Sequence, residues 1–287
     1  MISEIILTMN HITFSRFGNL EKSRLDFLLY LPHISEDFEF VSQVRKTANI
    51  SLDRISEKNL QDFLVHEADT GVRFVVHQII HYLEKNTDFS FGVLFVEIPR
   101  AFCDLNRNIE NAIPIILQRD YWEKIYLQVK NEISEILSIS DFVFHLHSMN
   151  NFDSIEHSQL TPSVSEDWFT HHLNTIYSGR PRHCTILTKN EKGEYLTNRV
   201  FDDILRQKFS QNNIILEENT AYRLCEHLPC TEIIRTIPSS FLEITKGSLA
   251  IDSQKNAVNC SRLDFDPEKI QFFGKVLSDA ILEFLKK

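Results

Sequence analysis

The chain is 287 residues long and 43% hydrophobic, with 40 acidic side chains against 30 basic ones and a net charge of -10. That length and apolar content suit one α/β domain spanning residues 1–287, and the acidic balance argues against nucleic acid or an anionic membrane as partner. Seven glycines, with no GxGxxG and no GxxxxGK, leave dinucleotide and nucleoside triphosphate chemistry without a phosphate cradle.

In chain order, residues 5–17 read as a strand or hairpin lead-in. Residues 25–31 are nearly all apolar and read as a buried strand. It ends in Pro32-His33-Ile34-Ser35-Glu36. Residues 36–64 are polar and irregular, a loop with a short helix. Asp69-Thr70 can cap a helix reaching residue 85, in which Val72, Val75, Val76, Ile79, Ile80 and Leu83 recur at helical spacing. A strand over 91–97 leads into Ile98-Pro99-Arg100 and then Asp104-Leu105-Asn106-Arg107. Residues 121–137 form an amphipathic helix whose inner face carries Trp122, Tyr126, Val129 and Ile133. A strand over 142–146 runs into His147-Ser148.

The stretch 150–179 is rich in His, Ser and Thr and long for a loop, which suits a lid or binding element. Strands follow at 185–187, 214–216 and 241–244, with a helix at 200–209. A last helix starts at Asp266 and Pro267, its buried stripe being Ile270, Phe273, Leu277, Ile281 and Phe284. The alternation predicts an open, mixed and largely parallel sheet flanked by helices. Such sheets bind ligands outside the carboxyl ends of their strands.

No apolar run is long enough to span a bilayer, and residues 1–13 lack the pattern of a signal peptide. The five cysteines form no CxxC pair, which disfavours a thiolate zinc site and fits a reducing cytoplasm.

The polar residues at strand ends carry the chemistry. Without thiolates, a metal such as zinc takes imidazole nitrogen and carboxylate oxygen. His33 and Glu36 have the spacing to meet at one point, although Ser35, Glu36, Asp37 and Glu39 read equally well as a solvated turn. His147 and His145 share one side of a strand, so both can ligate or one can orient the other. Asp69 is a metal candidate, yet local sequence favours a helix cap. Asn106 and Arg107 can grip a carboxylate, with Asp104 fixing the turn or orienting Arg107, and a loop salt bridge as the bland alternative. Arg100 is a second cation nearby. Glu243, between Leu242 and Ile244, is either an edge residue or a buried carboxylate placed as a general base.

In this order the motifs resemble the N-formylglutamate amidohydrolase family, a branch of the zinc carboxypeptidase-like hydrolases. The residues that carry the resemblance are Pro32-His33, Asp69-Thr70-Gly71-Val72, Ile98-Pro99-Arg100, Asp104-Leu105-Asn106-Arg107, His147-Ser148, the run 180–187, Asn219-Thr220-Ala221-Tyr222 and Leu242-Glu243-Ile244. The Asp-Leu-Asn-Arg segment is the most specific.

The resemblance implies a zinc-dependent amidohydrolase with a zinc exopeptidase-like fold and one zinc per chain. Its substrate would be a small anionic N-acyl amino acid, N-formylglutamate-like, or a peptide. His33, His147 and either Glu36 or Asp69 would hold the zinc. Asn106 and Arg107 would bind a substrate carboxylate, Glu243 would act as base, and Arg100 would face the oxyanion. Ile34, His145 and Thr245-Lys246 depart from the family pattern. They leave open a peptide-processing carboxypeptidase, or an inactive relative that binds a carboxylate or a protein.

Overall fold

The computed structural model describes residues 4–9, 11–84, 89–156, 160–226 and 228–287. Among the described residues, eight strands form one sheet: β1 (Glu4–Met9), β2 (Ile12–Gly18), β3 (Phe27–Leu31), β4 (Ser90–Val96), β5 (Val143–Met149), β6 (Cys184–Ile186), β7 (Leu216–Glu218) and β8 (Ser239–Thr245). Their order across the sheet is β1-β2-β4-β3-β5-β8-β6-β7. The central four, β4, β3, β5 and β8, are parallel. β1 and β2 form an antiparallel pair added beside β4, and β6 runs antiparallel to β8. The sheet is thus mixed with a parallel centre, as the alternating pattern predicts.

The two faces follow from the two-residue period of a strand. On one face Phe27, Leu29, Leu31, Phe144, Leu146, Leu242 and Ile244 meet α3 (Val72–Leu83), α7 (Arg199–Gln211) and α10 (Pro267–Leu285). On the other, Leu28, Tyr30 and Leu94 meet α1 (Glu39–Thr47), α2 (Glu57–Glu67) and α5 (Arg119–Ser138). Trp122 is fully buried there, and its indole N–H donates to Thr47 Oγ1 at 3.1 Å.

Several elements differ from the sequence reading. Residues 36–64 hold most of two helices, α1 and α2, rather than a loop. α2 starts where the Ser56 side chain accepts from the Asn59 N–H, one of the donors a helix start leaves unpaired. The stretch 150–179 contains α6 (Glu166–His171), capped by Ser165, and a π-helical turn (His172–Ile176). Residues 157–159 of that stretch lie outside the described residues, as does residue 85, the predicted end of α3. Two more short helices, α4 (Ile109–Ala112) and α9 (Lys246–Leu249), flank the strand ends, and α8 (Pro229–Thr236) precedes β8.

From β3 the chain passes to β4 on one side, then returns to β5 on the other. Between β3 and β5 the connections therefore part in opposite directions and leave a crevice at the strand ends. No helix among the described residues is long and apolar enough to cross a membrane.

Candidate metal centre

His33 lies just past β3, at the crevice. The Asp69 N–H donates to the His33 carbonyl at 2.7 Å, and Ser148 Oγ donates to the Thr70 carbonyl at 2.9 Å. These bonds pin the turn before α3 across the ends of β3 and β5. Gly71, at φ +85°, completes the turn; a Cβ there would lie 2.7 Å from the Phe265 ring.

His33, Asp69 and His147 then converge, all three buried. Asp69 Oδ2 lies 2.8 Å from His147 Nδ1 and 3.7 Å from His33 Nδ1. Ligand atoms of a tetrahedral zinc stand ~3.4 Å apart, from bond lengths of ~2.1 Å; the 3.7 Å spacing is close to that, and the 2.8 Å one is a hydrogen-bond distance. His33 Nδ1 and His147 Nε2 are buried without a hydrogen-bond partner among the described residues. Native proteins rarely leave buried nitrogens in that state. The donor set therefore fits a metal ion.

Glu36 stands apart from this group. It is exposed in the turn toward α1, and the backbone bond to His33 brings the Asp69 turn, not residue 36, against the imidazole. Burial pushes the His33 imidazole below its usual pKa, the form that can ligate.

Asp104 is the hub behind His33. Its Oδ1 lies 3.0 Å from His33 Nε2, on the ring side away from Asp69. Its Oδ2 is 3.3 Å from Arg100 Nε and 3.1 Å from Arg107 Nε, and the Asn106 N–H donates to Oδ1 at 2.9 Å. Burial opposes ionisation here, but Arg100, His33 and Arg107 hold the carboxyl far below the usual range. Sequence reasoning anticipates the turn and Arg107, not the contact with His33. A carboxylate facing the outer nitrogen of a metal-binding imidazole orients the ring and raises its basicity.

Glu243 sits in β8 directly beside His147 of β5 in register and is only 7% exposed. Burial, and next the negative charge of Asp69, push its carboxyl up to about 8. His145 lies two residues before His147 on the same strand face, edge-on to Tyr30 and stacked on Phe241. Burial pushes its pKa down to about 3, so it is a neutral ring in the wall. Arg182 was not singled out by residue type. Its Nε donates to Asp153 Oδ1 at 2.7 Å and its Nη1 to the Tyr222 hydroxyl at 2.9 Å. Its charge reaches Glu243. The signal available was the run 180–187, which carries no recognisable chemistry without the fold.

Compared by sequence, the chain matches no family model and no curated protein. Among solved structures it is similar to an N-formylglutamate amidohydrolase from Ralstonia eutropha, at 12% identity and a TM-score of 0.56, over 95% of this chain and 97% of that one. A gene product from Agrobacterium tumefaciens matches at 15% identity and a TM-score of 0.54, over 91% and 92% of the two chains. Carboxypeptidase A from Helicoverpa armigera matches at 10% identity and a TM-score of 0.50, over 98% of this chain and 67% of its own. At these identities the likeness is one of fold: the chain has the zinc exopeptidase-like α/β architecture.

Proposed function

We propose that the chain is a zinc-dependent amidohydrolase, a single amidohydrolase-like domain over residues 1–287 that cleaves the C–N amide bond of a small N-acyl amino acid. One observation carries the reading: His33, Asp69 and His147 turn donor atoms toward one another in a buried crevice, with the carboxyl of Glu243 in the adjacent strand. The three would hold one zinc per chain. When bound, zinc would supply Lewis acidity and lower the pKa of a coordinated water from ~15.7 toward ~7.

The chain's own residues supply the remaining work. Glu243 takes a proton from the attacking water and returns it to the leaving amine as the C–N bond breaks. A carboxyl tuned toward neutrality suits both steps. Arg100 faces the oxygen that gains charge as water adds to the carbonyl. Arg107 and Asn106 hold the substrate carboxylate. Asp104 links these parts, since it contacts His33 and both arginines.

The proposed substrate is small and anionic, and the site is not one for nucleic acid or membrane. Five free cysteines fit a cytoplasmic setting. Zinc-supplied protein should release formate and amine from N-formyl amino acids faster than it cleaves C-terminal peptides. A well-folded protein that takes up no zinc, or that hydrolyses neither class, would falsify the reading.

A further inference from the structure

A cavity of about 610 Å³ lies between the later turns of α5, helix α8 and the end of β3. Its mouth is at the surface, where Glu232 and Arg235 are exposed. Its floor includes Tyr30, in the central strand β3 and only 2% exposed. Leu105, Ile133, Leu137, Ile233 and Ile237 make the walls between them apolar. The packed rings of Tyr30, His145 and Phe241 stand between this cavity and His147, so it is a compartment of its own. Its volume is that of a small-molecule site.

The charges at the mouth cancel. Lys130 pairs with Glu232 at 3.8 Å, and Arg235 with Glu226 at 3.5 Å. An ionised ligand would shed water and find no uncommitted counter-charge in the lining, which is costly. An apolar body would lose only unfavourable hydration.

The hydroxyls of the lining are not equivalent. Ser134 Oγ donates to the Lys130 carbonyl at 2.8 Å, Ser138 Oγ to the Glu135 carbonyl at 2.7 Å and Thr236 Oγ1 to the Ile233 carbonyl at 3.0 Å. The Tyr30 hydroxyl has no hydrogen-bond partner among the described residues. Folded chains rarely leave a buried hydroxyl in that state. Burial pushes its pKa up, so it keeps its proton and can both donate and accept.

We propose that this cavity is a second binding site, separate from the candidate metal centre, for a small neutral amphiphile. Its ligand has an apolar body against the walls and one hydrogen-bonding group seated on the Tyr30 hydroxyl, the chemistry of an alkylphenol or a medium-chain alcohol. The proposal does not depend on the hydrolase reading.

The test is equilibrium dialysis of 4-butylphenol, butylbenzene and 4-butylbenzoate against the full chain. 4-Butylphenol should bind about fivefold more tightly than butylbenzene, the worth of one buried hydrogen bond. It should bind at least about tenfold more tightly than the charged benzoate. Tyr30→Phe should erase the first difference while butylbenzene still binds, with an unchanged melting transition certifying the fold. Ile233→Trp, at a partly buried wall position, should fill the cavity and weaken both neutral probes. These results should be the same in zinc-supplied and chelator-treated protein. No binding of either neutral probe, a phenol preference that survives Tyr30→Phe, or tightest binding of the benzoate overturns the proposal. So does binding that requires zinc, since the probe would then sit at the metal centre.

Discussion

Among the described residues, two clusters join two histidines and a carboxylate, His33–Asp69–His147 and His66–Glu67–His172, and their difference shows why residue type does not define a metal site. In the first, Asp69 Oδ2 is hydrogen-bonded to His147 Nδ1 at 2.8 Å, while His33 Nδ1 and His147 Nε2 are buried with no hydrogen-bond partner among the described residues. In the second, the Cys260 N–H donates to His66 Nδ1 at 3.1 Å. That bond uses the Nδ1 lone pair, and the Asn150 side-chain nitrogen lies 3.2 Å from Nε2, so both ring nitrogens of His66 already have hydrogen-bond partners. Glu67 Oε1 is 2.9 Å from His172 Nε2 and accepts from the Tyr177 hydroxyl at 3.5 Å. Lys246, 1% exposed, donates to the His66 carbonyl at 2.6 Å and to Asn150 Oδ1 at 2.9 Å. A cation in that place opposes a second one. The first cluster is the one proposed to coordinate zinc; the second is held together by hydrogen bonds at the end of α2.

The sharpest way to break this contrast is a pair of variants. His147→Ala should take zinc from about one per chain to near none and abolish hydrolysis, whereas His172→Gln should keep its zinc. Elemental analysis of both proteins decides it, and zinc lost from the second variant would merge the two clusters.

Glu243→Gln comes next, with an expected loss of about 10²–10⁴ in kcat and zinc retained. It should also stabilise the metal-free protein. The carboxyl titrates near 8 in the fold and near ~4.3 when unfolded. Between those values the folded state keeps a proton that the unfolded chain releases, so stability falls as pH rises through the window. The advantage of the Gln variant in melting temperature should therefore grow from pH 5 to pH 8.

Asp104→Asn should weaken zinc binding about 10–100-fold, because it faces a ligand without being one. Competition with a chelator measures that loss.

The smallest effect belongs to the second cluster. Burial opposes ionisation of Glu67, yet the hydrogen bond and charge of His172 hold its pKa down to about 2. Its stabilisation is complete above the unfolded value of ~4.3 and is lost as pH falls from there toward 2. Glu67→Gln should cost about 1–3 kcal/mol at pH 7 and flatten the acid limb of a urea unfolding series, with zinc content unchanged.

Legibility in the sequence followed the strength of the periodic signal. Helices α3 and α10 were readable because Val72 to Leu83 and Ile270 to Ile281 place apolar residues on one face. The β3, β4 and β5 strands were readable as buried apolar runs. α1 and α2 were not, since their polar residues, including Lys46 and Glu57, outnumber a short buried stripe. Within the candidate site, the placing of His33 just past β3 and of His147 and Glu243 toward the carboxyl ends of β5 and β8 was legible from the apolar runs, although β5 extends to Met149, beyond the end at residue 146 expected from pattern.

What the sequence by itself determined is therefore the local inventory: which segments pair as strands, which pack as helices, and which polar residues stand at their ends. Only the tertiary structure brings Asp69, and not Glu36, beside His33 and His147. That placement depends on a backbone bond from Asp69 to His33, 36 positions apart in numbering, and no local pattern encodes it. The same holds for Asp104 behind His33 and for the Cys260 N–H that bonds His66 Nδ1. Each is a contact between distant segments, set by how the connections around β3 and β5 close over the sheet.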